Sequence, residues 1–513
     1  MRSWWSVLGI LVGLTGLAVS YAVASLLHVR ESPVVAVAEG VTALTPGAVV
    51  EWAISTFGTD DKLVLTIGIV VILLVVFALL GRAARDRRWV ALAGFGVLAA
   101  IGLVAVLAKP SPGISQIAPL LAGLLTWSVA LTRLSERLER WEASAGTDDQ
   151  GRTDPASAAE SRRGFLVLSL VTAGIAAGGG LIGRVAGSGR RRAEESRRLL
   201  RIEGVTAPQV PAGADRGLPG VAPWQTPADD FYLIDTAYIK PTIAPADWRL
   251  RIHGEVENEI ELTYADLVGR QVTEDWITLN CVSNEIGGEL VGNAWWSGVR
   301  LADILAEAKP KAGADAVLQT SDDGWTCGTP LAALTDDRNA MLAVAMNGEP
   351  LPIEHGFPVR TIVPGLYGYV SATKWVVDME VTRFDRIEAY WTQKGWGEFG
   401  PVKMASRIEV PGRGVEVPAG EVVCAGHAWK QHTGIEGVEV QVDDGRWQPA
   451  QIAPTAGIDT WVQWWITLDV KPGEHTVRVR AISREGEVQT GAIADVLPDG
   501  ATGWHTVPFT ATA

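Results

Sequence analysis

The chain has 513 residues, 48% of them hydrophobic, and a formal net charge of −14 at pH 7. The charge is uneven, because residues 1–203 carry 21 Lys and Arg against 16 Asp and Glu, whereas residues 204–513 carry 23 against 42. The acidic second part lacks the basic surface that nucleic-acid binding requires, so we expect no nucleic-acid partner. Three cysteines are too few for a disulfide framework or for the usual four thiolates of an iron–sulfur cluster.

Apolar stretches dominate the first part and predict an N-terminal all-α transmembrane bundle of five helices over residues 1–186. Each stretch is near the ~20 residues that span a hydrocarbon core of about 30 Å. Charged residues occur only at or near the ends of the stretches. Buried helices of a soluble protein are the less favoured alternative. The stretches are Trp4–Leu27, Leu63–Leu80, Trp89–Ala108, Ile114–Leu131 and Gly164–Ala186.

Arginines in the short loops predict the orientation of these helices. Four arginines between residues 82 and 88 place the loop after the second stretch in the cytoplasm. Alternation then places everything after the fifth stretch on the outer face of a bacterial cytoplasmic membrane, although the arginines between residues 190 and 201 oppose this bias. Arg162 and Arg163, in the sequence SRRGFL, indicate a twin-arginine signal that exports folded domains. An ordinary cytoplasmic anchor is the alternative.

The apolar stretches contain no internal histidine and no internal charged residue. A membrane haem needs a pair of axial ligands, and an ion path needs buried charges. The haem-attachment sequence C-x-x-C-H is also absent. We therefore expect no haem, and we interpret the helices as an anchor or a docking unit.

The second part predicts two folded domains after a linker. Residues 187–220, rich in Gly, Pro and Arg, predict the linker. Residues 221–400 mix strand-like alternation, as in Trp248–Val256, with short helical patterns such as Leu301–Ala308, which is typical of an α+β domain. Thr263, followed three residues later by an acidic residue, predicts a helix N-cap.

Residues 401–513 have a different pattern of apolar and polar residues, which predicts a C-terminal β-sandwich. Short alternating runs recur here, separated by turn sequences such as DDG and KPG. The clearest runs are Glu421–Gly426, Gly437–Val442, Trp461–Val470 and His475–Ala481. Cys424 falls in the first run and is expected to be a core residue.

One cysteine has an unusual setting. An apolar run ends at Cys281, and the polar, glycine-containing sequence VSNEIGG follows. This pattern predicts a strand end opening into a loop, where a thiolate can reach a soft metal. Taken alone, a lone cysteine is more often a small buried hydrophobic residue.

Four segments around and after Cys281 narrow these alternatives: LNCVSNEIGG, GNAWWSGVRL, LPIEHGFPVRTIVPGLYGYVSATKWV and YWTQKGWGEFGP. In this order they resemble the sulfite oxidase family of molybdopterin enzymes. The resemblance covers residues 224–513 and implies that the sandwich is the immunoglobulin-like domain of that family, a possible dimerisation domain. The segment Asp229–Asp235 looks more like the catalytic subunit of periplasmic methionine sulfoxide reductases, which belong to the same family.

The resemblance implies a molybdenum–molybdopterin cofactor, with Cys281 as the thiolate ligand of the metal. It implies that His355 and Arg360 hold the pterin and its phosphate, and that residues 371–374 wrap the phosphate end. Tyr390 is the candidate for the catalytic tyrosine above the metal, although the matching position is near Glu388. Taken singly, these residues have ordinary structural explanations, such as an ion pair for Arg360. The cofactor-binding candidates are Tyr232, Cys281, Ser321, His355, Arg360, Ser371, Ala372, Thr373 and Lys374.

Two departures from the family bear on the substrate. Sulfite oxidases of animals and plants bind the sulfite anion with arginines. One of these arginines would fall at Ile234, and another would fall near Ile286, five residues past Cys281. An oxyanion without such partners is poorly compensated. We therefore favour sulfoxide reduction, with sulfite dehydrogenase as the alternative. A non-catalytic receptor or assembly protein that keeps the fold is the alternative from another class.

The sequence thus predicts a membrane-anchored, extracytoplasmic molybdenum oxidoreductase. Its substrate is expected to be a small or protein-bound sulfur compound. Its electrons are expected to pass through a separate carrier, either a quinone-linked membrane protein or a cytochrome. A homodimer is compatible with the C-terminal domain.

Overall fold

The computed structural model describes residues 2–27, 37, 41, 45, 49, 61–107, 114–145, 155–186, 189–237 and 239–513. Two compact units make up this part of the chain. The first comprises residues 1–190 with 237–239, and the second comprises residues 191–236 with 240–513.

The first unit is a bundle of long apolar helices that match the five predicted stretches. Within the described residues, five helices are long and apolar enough to cross a membrane, with mean hydropathies from 1.5 to 3.1. The helices are α1 (Arg2–Leu26), α2 (Asp61–Asp86), α3 (Arg88–Leu107), α4 (Ile114–Ala145) and α5 (Pro155–Ala186). These lengths and compositions are compatible with a membrane anchor.

Helix α1 packs on α2, α4 and α5, because glycines let the neighbouring backbones approach it. A Cβ added to Gly9 would lie 2.0 Å from the carbonyl oxygen of Phe77 and 2.7 Å from the Cα of Gly81. The indole of Trp127 on α4 donates a hydrogen bond of 3.0 Å to the carbonyl of Gly13. Close packing of this kind holds helices together in lipid, where no hydrophobic effect drives their association.

Charged residues join the helix ends at one end of the bundle. Arg88 at the start of α3 pairs with Glu139 on α4 at 2.8 Å. Glu142 on α4 accepts from Arg85 of α2 at 3.4 Å and from the indole of Trp5 on α1 at 3.0 Å. The arginines predicted to mark the cytoplasmic loop therefore lie beside the N-terminal end of α1, as alternation of the spans requires.

The predicted linker contains a helix, α6 (Gly189–Leu199). Glu194 pairs with Arg197 three residues later at 3.0 Å, a spacing that stabilises helices. Ala193 is buried, and Arg197 donates to the carbonyl of Pro350 at 3.3 Å. This part of the predicted linker is thus an ordered helix that contacts Pro350, and the bounds of the linker stay a prediction.

Two sheets and three short helices form the α+β part of the second unit. One sheet has the order β2-β1-β10-β5-β6, and the other has the order β3-β4-β7-β8 with β9 also paired to β7. Thr263 and Asp266 form the capping box of α7, which confirms the predicted N-cap. The helices are α7 (Tyr264–Val268), α8 (Leu301–Ala308) and α9 (Leu331–Thr335). The strands are β1 (Arg249–Gly254), β2 (Ile260–Thr263), β3 (Thr273–Asn280), β4 (Val291–Arg300), β5 (Ala316–Ser321), β6 (Thr326–Pro330), β7 (Met341–Met346), β8 (Glu349–Pro350), β9 (Arg360–Ile362) and β10 (Val376–Thr382).

The C-terminal part of the same unit is a β-sandwich, as the alternation predicts. Its sheets have the orders β11-β13-β17-β16 and β12-β19-β18-β14-β15, and residues from both share one core that contains Cys424. The strands are β11 (Ala405–Val410), β12 (Glu416–Pro418), β13 (Gly420–Trp429), β14 (Ile435–Val442), β15 (Gln448–Pro449), β16 (Gln451–Ile452), β17 (Val462–Val470), β18 (Gly473–Ser483) and β19 (Thr506–Thr512).

The sulfur-bearing side chains of the described residues are all buried. Cys281 is 8% exposed, whereas Cys327 and Cys424 are fully buried, and all three are free thiols. The methionines at 341, 346, 379 and 404 are also buried.

Candidate active site

Cys281 lies one residue past the end of β3, where the chain leaves the sheet, which confirms the predicted strand end. Its amide donates to the carbonyl of Leu290 at 2.9 Å, and its carbonyl accepts from the amide of Asn284 at 3.1 Å. The side chain of Asn284 accepts from the amide of Leu290 at 2.8 Å and closes the loop. Burial raises the pKa of the Cys281 thiol, and hydrogen bonds from Ser283 oppose that rise.

A cleft opens beside this thiol. Its lining comes from five separate segments of the chain, within residues 231–236, 279–283, 321–325, 355–375 and 391–396. Aromatic rings form much of the wall. They are Phe231, Tyr232, Trp325, Tyr369, Trp375, Trp391 and Trp396.

Most of the residues predicted from the sequence meet at this cleft. Those that line it are Tyr232, Cys281, Ser321, His355, Arg360, Ala372 and Lys374. Ser371 and Thr373 do not line it. The Ser371 hydroxyl donates to the carbonyl of Tyr367 at 2.9 Å, and the Thr373 hydroxyl pairs with the sulfur of Cys327 at 3.2 Å. Both are turned toward the core.

Tyr390, predicted to be catalytic, is not among the side chains that line the cleft. Its ring packs edge-on against Trp391 at 5.1 Å and lies 5.0 Å from the ammonium of Lys394. The next residue, Trp391, takes the lining position instead. The geometry therefore gives the expected role of Tyr390 no support.

Arg360 is a buried cation without an anionic partner among the residues that the structure describes. It is 5% exposed and donates to three backbone carbonyls at 3.2 to 3.4 Å. Its guanidinium lies 5.2 Å from the centre of the Trp296 ring, and burial lowers its pKa to about 10. The buried hydroxyl oxygen of Ser321, also on the cleft, has no hydrogen-bond partner within the described part of the chain. A guanidinium and a hydroxyl in this state suit a ligand that carries phosphate and polar ring atoms.

A second cation enters the cleft through Lys374. Its ammonium donates to Asp235 at 2.7 Å and to the carbonyl of Glu354 at 3.1 Å. Asp235 also pairs with Lys240, so one carboxylate lies between two cations. Burial lowers the pKa of Lys374 to about 8. Together with Arg360, this residue makes one end of the cleft positive.

His355 lies beside these cations and is neutral at pH 7. Burial, followed by the charges of Arg360 and Lys374, lowers its pKa to about 4. Its Nε2 lies 2.9 Å from the carbonyl of Ala228, so the neutral ring carries its proton there and donates it. The ring is thus oriented by the backbone of the segment that also supplies Tyr232.

Sequence reasoning missed several lining residues. Asp323 and Trp325 lie on the turn between β5 and β6, and Tyr369 donates to the carbonyl of Gly397 at 2.7 Å. No local pattern marks these residues, because the cleft forms between distant segments. Of the two isoleucines, Ile234 lines the cleft, whereas Ile286 lines a separate cavity behind the Cys281 loop.

Comparison with known proteins places these residues in a family. Residues 237–391 match the model of the oxidoreductase molybdopterin binding domain. The chain is 27% identical to sulfite oxidase of Gallus gallus over 52% of this chain and 69% of that protein. It is 31% identical to the uncharacterized oxidoreductase YuiH of Bacillus subtilis over 34% of this chain and 85% of that protein. Among solved structures, the sulfane dehydrogenase SoxCD of Paracoccus pantotrophus is similar, with a TM-score of 0.45, 26% identity and coverage of 49% of this chain and 70% of that one.

Proposed function

The chain belongs to the sulfite oxidase family of molybdopterin-binding oxidoreductases, and on that premise we propose that it reduces a sulfoxide by oxygen-atom transfer. The enzyme would be anchored in the membrane and would receive electrons from a separate carrier. When bound, the molybdenum cofactor supplies a metal that exchanges an oxygen atom and two electrons. The protein supplies the position and the electrostatic surroundings of that group.

The residues of the cleft fit such a cofactor. Cys281 offers a soft thiolate ligand at the end of a rigid strand. The buried guanidinium of Arg360 and the ammonium of Lys374 would hold the phosphate, and the unpaired hydroxyl of Ser321 would bind a polar atom of the pterin. His355 would present a neutral ring, since its own proton is used on the backbone.

The charge of the cleft is the observation that carries the sulfoxide preference. Among the lining residues, the cations are Arg360 and Lys374, and the phosphate would use both. The carboxylates of the lining are Asp235, which is paired with Lys374 and Lys240 and adds no positive charge, and Asp323, which repels an anion. Ile234 stands at the position where sulfite oxidases of animals and plants are expected to have an arginine. A neutral sulfoxide with apolar substituents suits this wall, whereas sulfite would be uncompensated.

Sulfite oxidation is the second candidate, because the relatives include sulfite oxidases. The test is turnover by the detergent-purified, cofactor-loaded protein. We expect dye-coupled reduction of sulfoxides and little oxidation of sulfite with a one-electron acceptor. The reverse result would refute the preference. Ile234→Arg should increase the rate with sulfite and lower that with sulfoxides, while Ile234→Val, the matched control, should leave the ratio unchanged.

The same proposal covers the placement of the enzyme. The loop charges and the Arg162-Arg163 pair support a catalytic part on the outer face of the membrane. The domains would then be the membrane bundle (1–186), the linker (187–220), the cofactor-binding domain (221–400) and an immunoglobulin-like domain (401–513), the last available for dimerisation. A protease added to intact spheroplasts should cleave in the C-terminal part, whereas protection of that part would refute the orientation.

A further inference from the structure

We propose that the β-sandwich positions the metal-binding thiol, and that Arg407 is the residue that holds the Cys281 loop. This inference rests on the proposed function in one respect, namely that Cys281 is the metal ligand. It assigns to the C-terminal domain a task within the active site of its own chain, separate from any role in dimerisation. Contacts on both sides of Cys281 support it.

On the N-terminal side, the sandwich part holds Thr278, three residues before the cysteine. The amide of Thr278 donates to the carbonyl of Asp459 at 2.9 Å, and its carbonyl accepts from the side chain of Gln431 at 3.2 Å. Its hydroxyl accepts from the amide of Trp461 at 2.8 Å. The last residues of β3, immediately before the thiol, are therefore hydrogen-bonded to the C-terminal domain.

On the C-terminal side, the sandwich holds the loop that follows the cysteine. Arg407 on β11 donates to the carbonyl of Gly288 at 2.9 Å. Gly287 has a φ of +77°, and a Cβ added there would lie 2.3 Å from the ring of His505. That ring is itself fixed, because its Nδ1 accepts from the amide of Ile408 at 3.0 Å.

Arg407 is aimed at the loop by a buried network. Its side chain is 8% exposed and pairs with Glu409, whose other oxygen accepts from the amide of Ala222 at 2.8 Å. Glu409 also lies 3.2 Å from Nδ1 of His427, a fully buried ring that stacks on Trp461. A buried ion pair adds little net stability. It does, however, fix the direction in which the guanidinium donates.

Arg407 does not line the substrate cleft, so it is a positioning residue. A metal ligand must be held to about 0.5 Å of its working position, and its supporting contacts decide whether it is. Loss of the bond to Gly288 would let the loop move while the ion pair with Glu409 could remain. Arg407→Lys separates the two interactions, because lysine keeps the charge that pairs with Glu409 but lacks the second donor arm that reaches Gly288.

The test uses the full-length, cofactor-free protein and the rate at which iodoacetamide alkylates its cysteines. Cys281 lines the cleft, whereas Cys327 and Cys424 are fully buried, so the rate in the folded protein reports the Cys281 loop. We expect Arg407→Lys to alkylate about tenfold faster than the wild type, as loss of one charge-assisted hydrogen bond implies. Arg480→Lys, which disturbs an ion pair with Glu439 on the same sandwich, should alkylate at the wild-type rate.

Gly287→Ala displaces the same loop from His505 and decides the question if Arg407→Lys does not fold. In cofactor-loaded protein, the electron paramagnetic resonance signal of the metal should change in both loop variants and not in the control. Wild-type alkylation rates together with an unchanged signal would overturn the inference. Alkylation is measured without the metal, so its result tests the positioning of the loop and not the proposed function. A Cys281→Ser protein that keeps its molybdenum would instead refute the role of Cys281 as the metal ligand.

Discussion

Cofactor-free protein should lose stability in mild acid because His355 is held in its neutral form. The ordinary pKa of histidine is about 6.5, and in the folded chain burial and the charges of Arg360 and Lys374 lower it to about 4. As the pH falls below 6.5, the unfolded chain binds a proton at this position that the folded chain does not bind. The free energy of unfolding therefore falls until the pH reaches the folded pKa, and it is unaffected by His355 at higher pH.

The size of this loss follows from the two pKa values. At 1.36 kcal/mol for each pKa unit, His355 should remove about 2.5 kcal/mol between pH 7.5 and pH 4.5. His505, whose pKa is also lowered to about 4 by burial, acts in the same direction, so the wild type should lose more than this. The cofactor phosphate would offset the charges of Arg360 and Lys374, and loaded protein should lose less.

The variant that isolates the effect is His355→Gln, because the glutamine amide can still donate to the carbonyl of Ala228. Urea unfolding in detergent, followed by tryptophan fluorescence at both pH values, measures the difference from the wild type. His475 is the control with the opposite pKa shift, since a hydrogen bond with Asp443 raises its pKa. His475→Gln should therefore not reduce the loss of stability in acid. If His355→Gln loses as much stability as the wild type, the assigned cause is wrong.

Three further perturbations test other parts of the molecule. Cys281→Ser should lower the molybdenum-to-protein ratio measured by elemental mass spectrometry, whereas Cys424→Ser, a core change far along the chain, should keep bound metal in whatever protein folds. Gly81→Leu should lower the melting temperature of the bundle in detergent, since a Cβ there would lie 2.1 Å from the carbonyl of Trp5, whereas Gly68→Leu, where a Cβ would meet no described atom within 4 Å, should not. Thr263→Ala should cost about 1 kcal/mol of unfolding free energy in urea titrations, because it removes a helix cap.

Local signals predicted much of the fold. The apolar stretches had the length of membrane spans, and the helices of the first unit overlap them, although α4 and α5 extend well beyond their stretches. The cap at Thr263 and the end of β3 before Cys281 were predicted because neighbouring residues encode both. Helix α6 was not predicted, because its Gly and Arg content is typical of a linker. The Glu194–Arg197 spacing was the available signal.

The site was predicted less completely, for a physical reason. Its lining comes from segments far apart in the chain, so a residue such as Asp323 or Tyr369 carries no local mark of its role. Within a motif, the sequence also did not show which side chains face the cleft. Ala372 and Lys374 face the cleft, while Thr373 between them bonds to Cys327 in the core. In the same way, Trp391 lines the cleft, whereas its neighbour Tyr390 does not.

The burial of every described cysteine and methionine has a consequence for the chemical durability of the protein. Oxidants attack exposed thiolates and thioethers, and methionine oxidation turns an apolar side chain into a polar one that disrupts cores. Exposed sulfur side chains would leave the scaffold open to such damage. Among the described cysteines and methionines, only Cys281 opens onto the cleft, and a metal bound there as proposed would occupy its sulfur. The folded scaffold is thereby protected from oxidation at these side chains.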